Sequence, residues 1–427
     1  MKILLVVVPL LSLGCATVDE LPTQNEEAYN LYLEGNEIFR RSTSNIGGPS
    51  RAGERYWQAV QLDPEFGLAW AGLVRANVML YFFGADRSDQ RIQMAEDALQ
   101  RAQEFAPDTP EVQSALGYYY YQGIGDYARA AQHFAEAQEG MPNNVDLYET
   151  RAYLYRRMGE FRQSVAAMER AIALDPMNFE QLAQQALTYE FLREYSEAEK
   201  LYDQILGVSP GNRVIRGRKE ASIPLWRDGV SVAALGEPLA PCGPWQVALY
   251  TRDYDLALDV LRSWGSEEGA YSWALNQYVP IASFYGVTYA LAGEMELADQ
   301  YFQKARAHLE EALTANPGDH RLHIALGEAL AGLGDSDGAV ESARRALEIM
   351  PTSRDTLTGP RVHVDAIVRV FGPAGDADAA IEALDDYLAA PGEWSVEGLV
   401  PDPRLDSIRE DPRFQTLVEK YRRTVEG

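Results

Sequence analysis

Cysteine, histidine and positive charge are all scarce in this sequence, and each scarcity removes a class of function. Cys15 and Cys242 are the two cysteines among 427 residues. The run Pro241-Cys242-Gly243-Pro244-Trp245 lacks the second thiol and the flanking strand of a redox turn, so Cys242 reads as a loop thiol. Among the five histidines, His320 and His323 stand three apart, with no third ligand nearby in sequence, and read as surface residues rather than a zinc site. Lys and Arg number 38 against 64 Asp and Glu, a formal charge of −26. With no basic stripe to offset that balance, a nucleic-acid partner is disfavoured. The acidity reads as a solubility device, with a basic partner surface as the alternative.

Catalytic machinery is missing as well. Gly332-Leu333-Gly334-Asp335 follows no strand and is a turn between helices, not a phosphate loop. Carboxylates are too numerous for one pair to stand out as acid and base, and no nucleophile has an identifiable activating partner. The chain therefore reads as a non-enzyme with no cofactor and no metal. No alternating pattern is long enough to argue for a sheet. What is present is 46% hydrophobic content, ample for a continuous core.

The opening MKILLVVVPLLSLGC has one Lys, an apolar run from Ile3 to Leu11 too short to span a bilayer, and Gly14 directly before Cys15. This layout resembles the lipobox of bacterial lipoproteins. The resemblance implies removal of residues 1–14, acylation of Cys15 and a tether over 15–24. Ser12 and Leu13 reverse the usual order, so ordinary secretory cleavage stays open as the alternative. Ala16 after the cysteine resembles the pattern sent to the outer membrane, which implies an envelope protein facing the periplasm; the alternative is a soluble secreted or periplasmic one. With Cys15 acylated, Cys242 has no disulfide partner and stability must come from packing.

A period of 34 organises the rest. Pro142, Pro176 and Pro210 are spaced by 34, Pro107 precedes them by 35, and Pro351 follows Pro317 by 34. Within Val145 to Pro176, apolar positions recur every three or four residues on two short helices, broken by Gly159 and stopped by Pro176. Ala152, Tyr155, Gly159, Phe161, Ser164, Met168 and Ala171 sit where the tetratricopeptide repeat (TPR) places its packing residues, and the segment resembles that family. Leu116 to Pro142, with one residue inserted near Gly123-Ile124-Gly125, Ala186 to Pro210, Gly286 to Ala305 and Leu326 to Pro351 resemble further units. The expected fold is all-α: a TPR helical-hairpin solenoid of about seven or eight repeats, since one hairpin cannot bury its own apolar face.

Between Gly211 and Pro244 the period fails, and GEPLAPCGP is dense in Pro and Gly. The expected organisation is a TPR block over 25–210, an irregular connector over 211–244, a second block over 245–390 and a capping segment over 391–427. The tail Asp402-Pro403-Arg404-Leu405 followed by Ser407 to Phe414, and the openings Glu27 to Gly35 and Leu68 to Leu73, are similar to TPR arrays attached to bacterial adenylate-cyclase, winged-helix and serine/threonine-kinase signalling proteins. The cyclase, kinase and winged-helix segments themselves are missing from this sequence.

The stretch LGYYYY places Tyr118 and Tyr121 three apart on one helical face. In the repeat geometry that the resemblance implies, Tyr120 is a core residue and Tyr118 and Tyr121 line the concave groove. Glu149, Tyr153, Arg156 and Arg157 follow in the next repeat, Glu190 and Phe191 in the one after, and Arg75 and Met79 upstream. Such an aromatic surface with a few charges suits a peptide or partner helix; the alternative is that the rings only fill a tight superhelix. Tyr118, Tyr153 and Leu187 stand where a chaperone-type carboxylate clamp needs asparagines. The expected function is a membrane-anchored scaffold or adaptor gripping an extended segment or helix of another envelope protein. The alternative is a ligand-capturing lipoprotein working with a transporter.

Overall fold

The computed structural model describes residues 22–41, 47–83, 85–228, 242–273 and 277–425. Helical hairpins follow one another along the chain: α1 (Glu26–Arg41) and α2 (Gly47–Leu62), α3 (Gly67–Phe82) and α4 (Asp89–Phe105), α5 (Pro110–Tyr118) and α6 (Tyr127–Gly140), α7 (Val145–Met158) and α8 (Phe161–Leu174), α9 (Phe179–Phe191) and α10 (Tyr195–Val208). After α11 (Arg213–Gly217) and α12 (Ile223–Asp228) come α13 (Cys242–Tyr250) and α14 (Tyr254–Ser263), α15 (Ile281–Ala292) and α16 (Met295–Ala315), α17 (His320–Gly332) and α18 (Ser336–Ile349). The chain ends in α19 (Gly359–Asp365), α20 (Gly372–Ala374), α21 (Ala377–Ala389), α22 (Val396–Leu399) and α23 (Pro412–Val425). Among the described residues no helix is long and apolar enough to cross a membrane.

Short polar side chains start these helices. Asp126 accepts the backbone N–H of Arg129, Asn178 that of Glu180, Asp319 that of Arg321, Asp335 that of Gly338 and Asp376 that of Ala379, each satisfying a donor the helix cannot. Between the paired helices the chain passes through the left-handed region at Gly125, Gly159, Gly293, Gly334 and Gly375, where a side chain is strained. Small residues in the first helix let an aromatic ring of the second lie against the backbone. A Cβ on Gly117 would come within 2.5 Å of the Phe134 ring, and one on Gly286 within 2.8 Å of Phe302.

The one-residue insertion near Gly123 is absorbed as a π-helical turn over Tyr119–Ile124, with Gly125 closing it by donating its N–H to the Tyr120 carbonyl. Widening that turn rotates the tyrosines. Tyr118 and Tyr121 become the buried pair, while Tyr119 and Tyr120 are only partly covered. Tyr120, the expected core residue, instead stacks on His133 with ring centroids 5.4 Å apart.

Two compact units result, residues 1–147 and 148–427. Three features of the second differ from the sequence expectation. Residues 213–228 are helical where a connector was expected, because Asn212 caps α11 and Ile215 and Ile223 are buried; residues 229–241 lie outside the described residues. A two-stranded antiparallel hairpin, β1 (Ala270–Trp273) with β2 (Gln277–Pro280), pairs Ala270 with Pro280 and Trp273 with Gln277. Its four-residue strands are too short to leave an alternating signal. Finally, the division between units falls within α7 and not at 211–244, because residues 355–398 pack against α7 to α12 and make 148–427 one body. Beyond them Leu405, Ile408, Phe414 and Leu417 share a core with Val370, Phe371 and Leu384.

Candidate functional site

The expected groove residues divide between the two units, and each set is held by its own surroundings. In the first unit, Arg75 on α3 lies in an aromatic slot, its guanidinium carbon 3.8 Å from the centroid of Phe39 and 4.8 Å from that of Tyr118. Such a cation over ring faces is attracted by their quadrupoles. Asp146 approaches Arg75 at 3.4 Å, while the Arg75 Nε is buried with no hydrogen-bond acceptor. Met79 is buried, Tyr118 meets Phe134 edge-on at 5.2 Å, and Tyr121 packs between Phe82 and Tyr127. Of these four, Arg75 alone reaches solvent appreciably.

In the second unit, α7 presents Glu149, Tyr153, Arg156 and Arg157 along one side, as their three- and four-residue spacing requires. Glu149 accepts from Asn178 at 3.3 Å and from Gln181 at 2.5 Å. The Arg156 guanidinium lies 5.6 Å from the Tyr153 ring and donates to the Gln184 carbonyl and side-chain oxygen, both at 3.1 Å. Arg157 pairs with Asp355, far along the chain, and its carbonyl accepts the Thr356 N–H at 2.9 Å. Glu190 is fully buried, paired with Arg218 and accepting from Tyr202 at 2.7 Å. Phe191, also fully buried, stacks on Phe161 and clusters with Leu357.

Phe191, Glu190 and Arg156 are therefore not exposed groove residues. Residues 355–358 and 391–395 of the same chain cover the helix ends that carry them. Gly392 donates its N–H to the Phe191 carbonyl at 2.8 Å, and Tyr195 donates to the Glu393 carbonyl at 2.8 Å. Arg193 donates to the carbonyls of Trp394 at 3.0 Å, Leu388 at 3.2 Å and Tyr387 at 3.3 Å. Ser395 donates its N–H to the Trp226 carbonyl at 3.0 Å, and the Trp226 and Trp394 rings stand 6.2 Å apart. Glu393 is held by Arg361 at 2.6 Å, with Arg218 at 3.7 Å. Burial pushes the Glu393 carboxyl up, but these guanidinium groups outweigh it and hold it below its ordinary range. Asp355 behaves alike: burial raises it, and Arg157 with the N–H groups of Thr358 and Leu357 bring it lower still.

Arg193, Tyr195 and Trp226 escaped the sequence reading, which placed residues 391–395 only within the expected capping segment. One signal was available. Gly125, Gly159 and Arg193 follow one another at 34 residues, and Arg193 keeps the left-handed φ of 57° that the glycines adopt freely. Arg252 does the same at φ 58° and pairs with Asp406 at 2.7 Å. A bulky residue kept in a glycine position marks a contact made by its side chain. Cys15 lies outside the described residues, and among those described no group of three His, Cys, Asp or Glu could hold a metal ion.

The tetratricopeptide-repeat family profile matches residues 150–213 and 291–354, one stretch on either side of residues 229–241. Hsp70-Hsp90 organizing protein 3 of Arabidopsis thaliana is 30% identical over 87 residues, 20% of this chain and 16% of that one. Sperm-associated antigen 1 of Rattus norvegicus is 27% identical over 166 residues, 35% of this chain and 18% of its own length. The chain thus spans less than a fifth of the curated relatives it matches. Among solved structures, a thermophilic TPR protein of Thermus thermophilus is 20% identical with TM-score 0.36, covering 46% of this chain and 99% of that one. PilW, a type IV pilus biogenesis factor, is 16% identical with TM-score 0.35, covering 56% and 92%. The fold is an all-α array of TPR helical hairpins.

Proposed function

We propose that this chain is a lipid-tethered scaffold of the bacterial cell envelope whose TPR hairpins hold an extended segment of another protein. The observation that carries the reading is that the array already holds such a segment of its own, residues 391–395, by main-chain hydrogen bonds to the Phe191 and Trp226 carbonyls and by the side chains of Arg193 and Tyr195. Reading main-chain groups gives affinity, and side-chain pockets add selectivity. The tether rests on the sequence of residues 1–16, and the protein-binding role on the repeats at 150–213 and 291–354. An organizing role is named for the Arabidopsis relative, and a scaffold here agrees with it.

For a partner in trans, the reachable members of the expected groove are the partly exposed Arg75 in the first unit and, separately, Glu149 and Tyr153 in the second. Arg75 offers a cation with apolar faces, suited to a carboxylate carried beside an apolar side chain. The test is capture of envelope proteins by the mature chain, by Arg75→Ala and by Tyr153→Ala. Loss of partners from either variant supports the surface of its own unit, whereas capture unaffected by either substitution refutes both surfaces. The tether is tested by Cys15→Ser, which should move the protein from the membrane to the soluble fraction and abolish labelling with a fatty-acid probe.

A further inference from the structure

We infer that the helix ends around Phe191, Arg193, Tyr195 and Trp226 form a docking strip for an extended small–acidic–aromatic–hydroxyl segment, that the chain fills this strip with its own Gly392-Glu393-Trp394-Ser395, and that a partner segment of the same pattern competes for it. This rests on the scaffold reading above and names the chemistry of what one surface accepts.

The segment Ala390–Ser395 lies between α21 and α22 and belongs to neither helix. Its backbone polar groups must be satisfied elsewhere. Four consecutive residues find partners on the repeats: the Gly392 N–H, the Glu393 and Trp394 carbonyls and the Ser395 N–H, at 2.8 to 3.0 Å. That is a strand read along its main chain, independent of its side chains. The side chains then enter separate environments. Glu393 reaches Arg218 and Arg361, Trp394 lies against Trp226, and the Ser395 hydroxyl donates to the Trp226 and Arg227 carbonyls. Gly392 is confined from its own side, since a Cβ there would meet the Tyr387 hydroxyl of the preceding α21 at 2.7 Å. Acid in the second position matches the guanidinium pair, which stands out on a chain of formal charge −26.

Arg193 identifies the strip as more than incidental packing. It stands where the two preceding repeats place Gly159 and Gly125, holds a backbone conformation costly for a side chain, and donates to the Trp394 carbonyl of the docked segment and to the Leu388 and Tyr387 carbonyls at the end of α21. Because the docked segment is tethered to its strip, it acts at an effective concentration of about millimolar, and a free competitor is disadvantaged accordingly.

A labelled peptide of residues 388–397 and a scrambled control, each titrated against the full chain and against Glu393→Ala/Trp394→Ala, test the strip. The authentic peptide should bind the variant about tenfold or more tightly than the wild type, and the scramble should bind neither. A folded variant that binds the peptide no better than wild type, or no better than the scramble, overturns the inference. Should the double variant fail to fold, hydrogen exchange on the wild-type chain decides. Gly392 and Ser395 amides are expected to exchange at least about tenfold faster than those of α17, through local opening. Equal protection overturns the strip. Peptide binding with no captured envelope protein would leave the strip standing and remove the scaffold reading; captured partners with no peptide binding would do the reverse.

Discussion

Arg193 and Arg252 carry the same backbone strain for different returns. Arg252 faces Asp406 with both side chains about half exposed, a pair that solvent screens to little net value. Replacing Arg252 by Gly relieves the left-handed backbone, and stability in urea should stay level or rise by up to about 1 kcal/mol. Arg193→Gly relieves the same strain but takes the Arg193 donors from the carbonyls of Trp394 and Leu388, so it should lose about 1–3 kcal/mol. If both variants shift stability equally, the side-chain account of Arg193 is wrong. Asp365 supplies a second residue-scale test. Burial holds its carboxyl above the ordinary range, while Arg369 beside it already has Glu328 as a bidentate partner at 3.0 and 2.9 Å. Asp365→Asn removes a charge that burial disfavours and keeps an acceptor for Gln277, so the melting temperature at neutral pH should not fall.

At the scale of the element, the hairpin is a first helix with small residues against which the ring of a second helix lies. Gly117→Ala forces a methyl into Phe134, which is fully buried and cannot retreat, and chemical denaturation should show a loss of about 1–3 kcal/mol. Gly125→Ala, by contrast, meets no atom within 4 Å, so any loss there measures backbone strain alone. The docked segment is also an element, though without regular structure. A chain ending at Ala390 leaves the Phe191 carbonyl without its Gly392 donor, Arg193 without the Trp394 carbonyl and Tyr195 without its acceptor. Proteolysis should then cut first between α9 and α12, and a chain of that length that resists cleavage there as the full one does would show that the segment contributes no closure.

For the molecule as a whole, pH reaches the second unit through ion pairs that join distant parts of the chain. Asp355 with Arg157 and Glu393 with Arg361 have carboxyls held low in the folded state. A depressed folded value means stability present above the ordinary carboxyl value, about 4, and lost as pH falls through the lower folded one. Asp365, raised by burial, acts oppositely and offsets part of that loss. Between pH 5 and pH 2.5 the urea midpoint should fall, and the amides of Thr356, Gly392 and Ser395 should lose protection before those of α17. An acid-stable midpoint would mean that these pairs are dispensable.

The hairpin architecture was legible because its causes are local. Proline stops at 34-residue spacing, Asp and Asn at helix starts, and alanines recurring every three or four residues on second helices each act within a few positions, and the helices appear where those signals stand. The tyrosine run was legible only in part, because a single added residue made a π turn directly after α5 and exchanged the faces of Tyr118 to Tyr121. Which inner surfaces stay open lay beyond the sequence altogether. Phe191 and Glu190 were expected to line a groove from the pattern within one repeat, but some 200 residues later the chain returns and lays Gly392 to Ser395 across them. Periodicity fixes how a hairpin meets its neighbour; whether remote hairpins meet depends on the accumulated rotation of the units between them, and only the folded chain settles that sum.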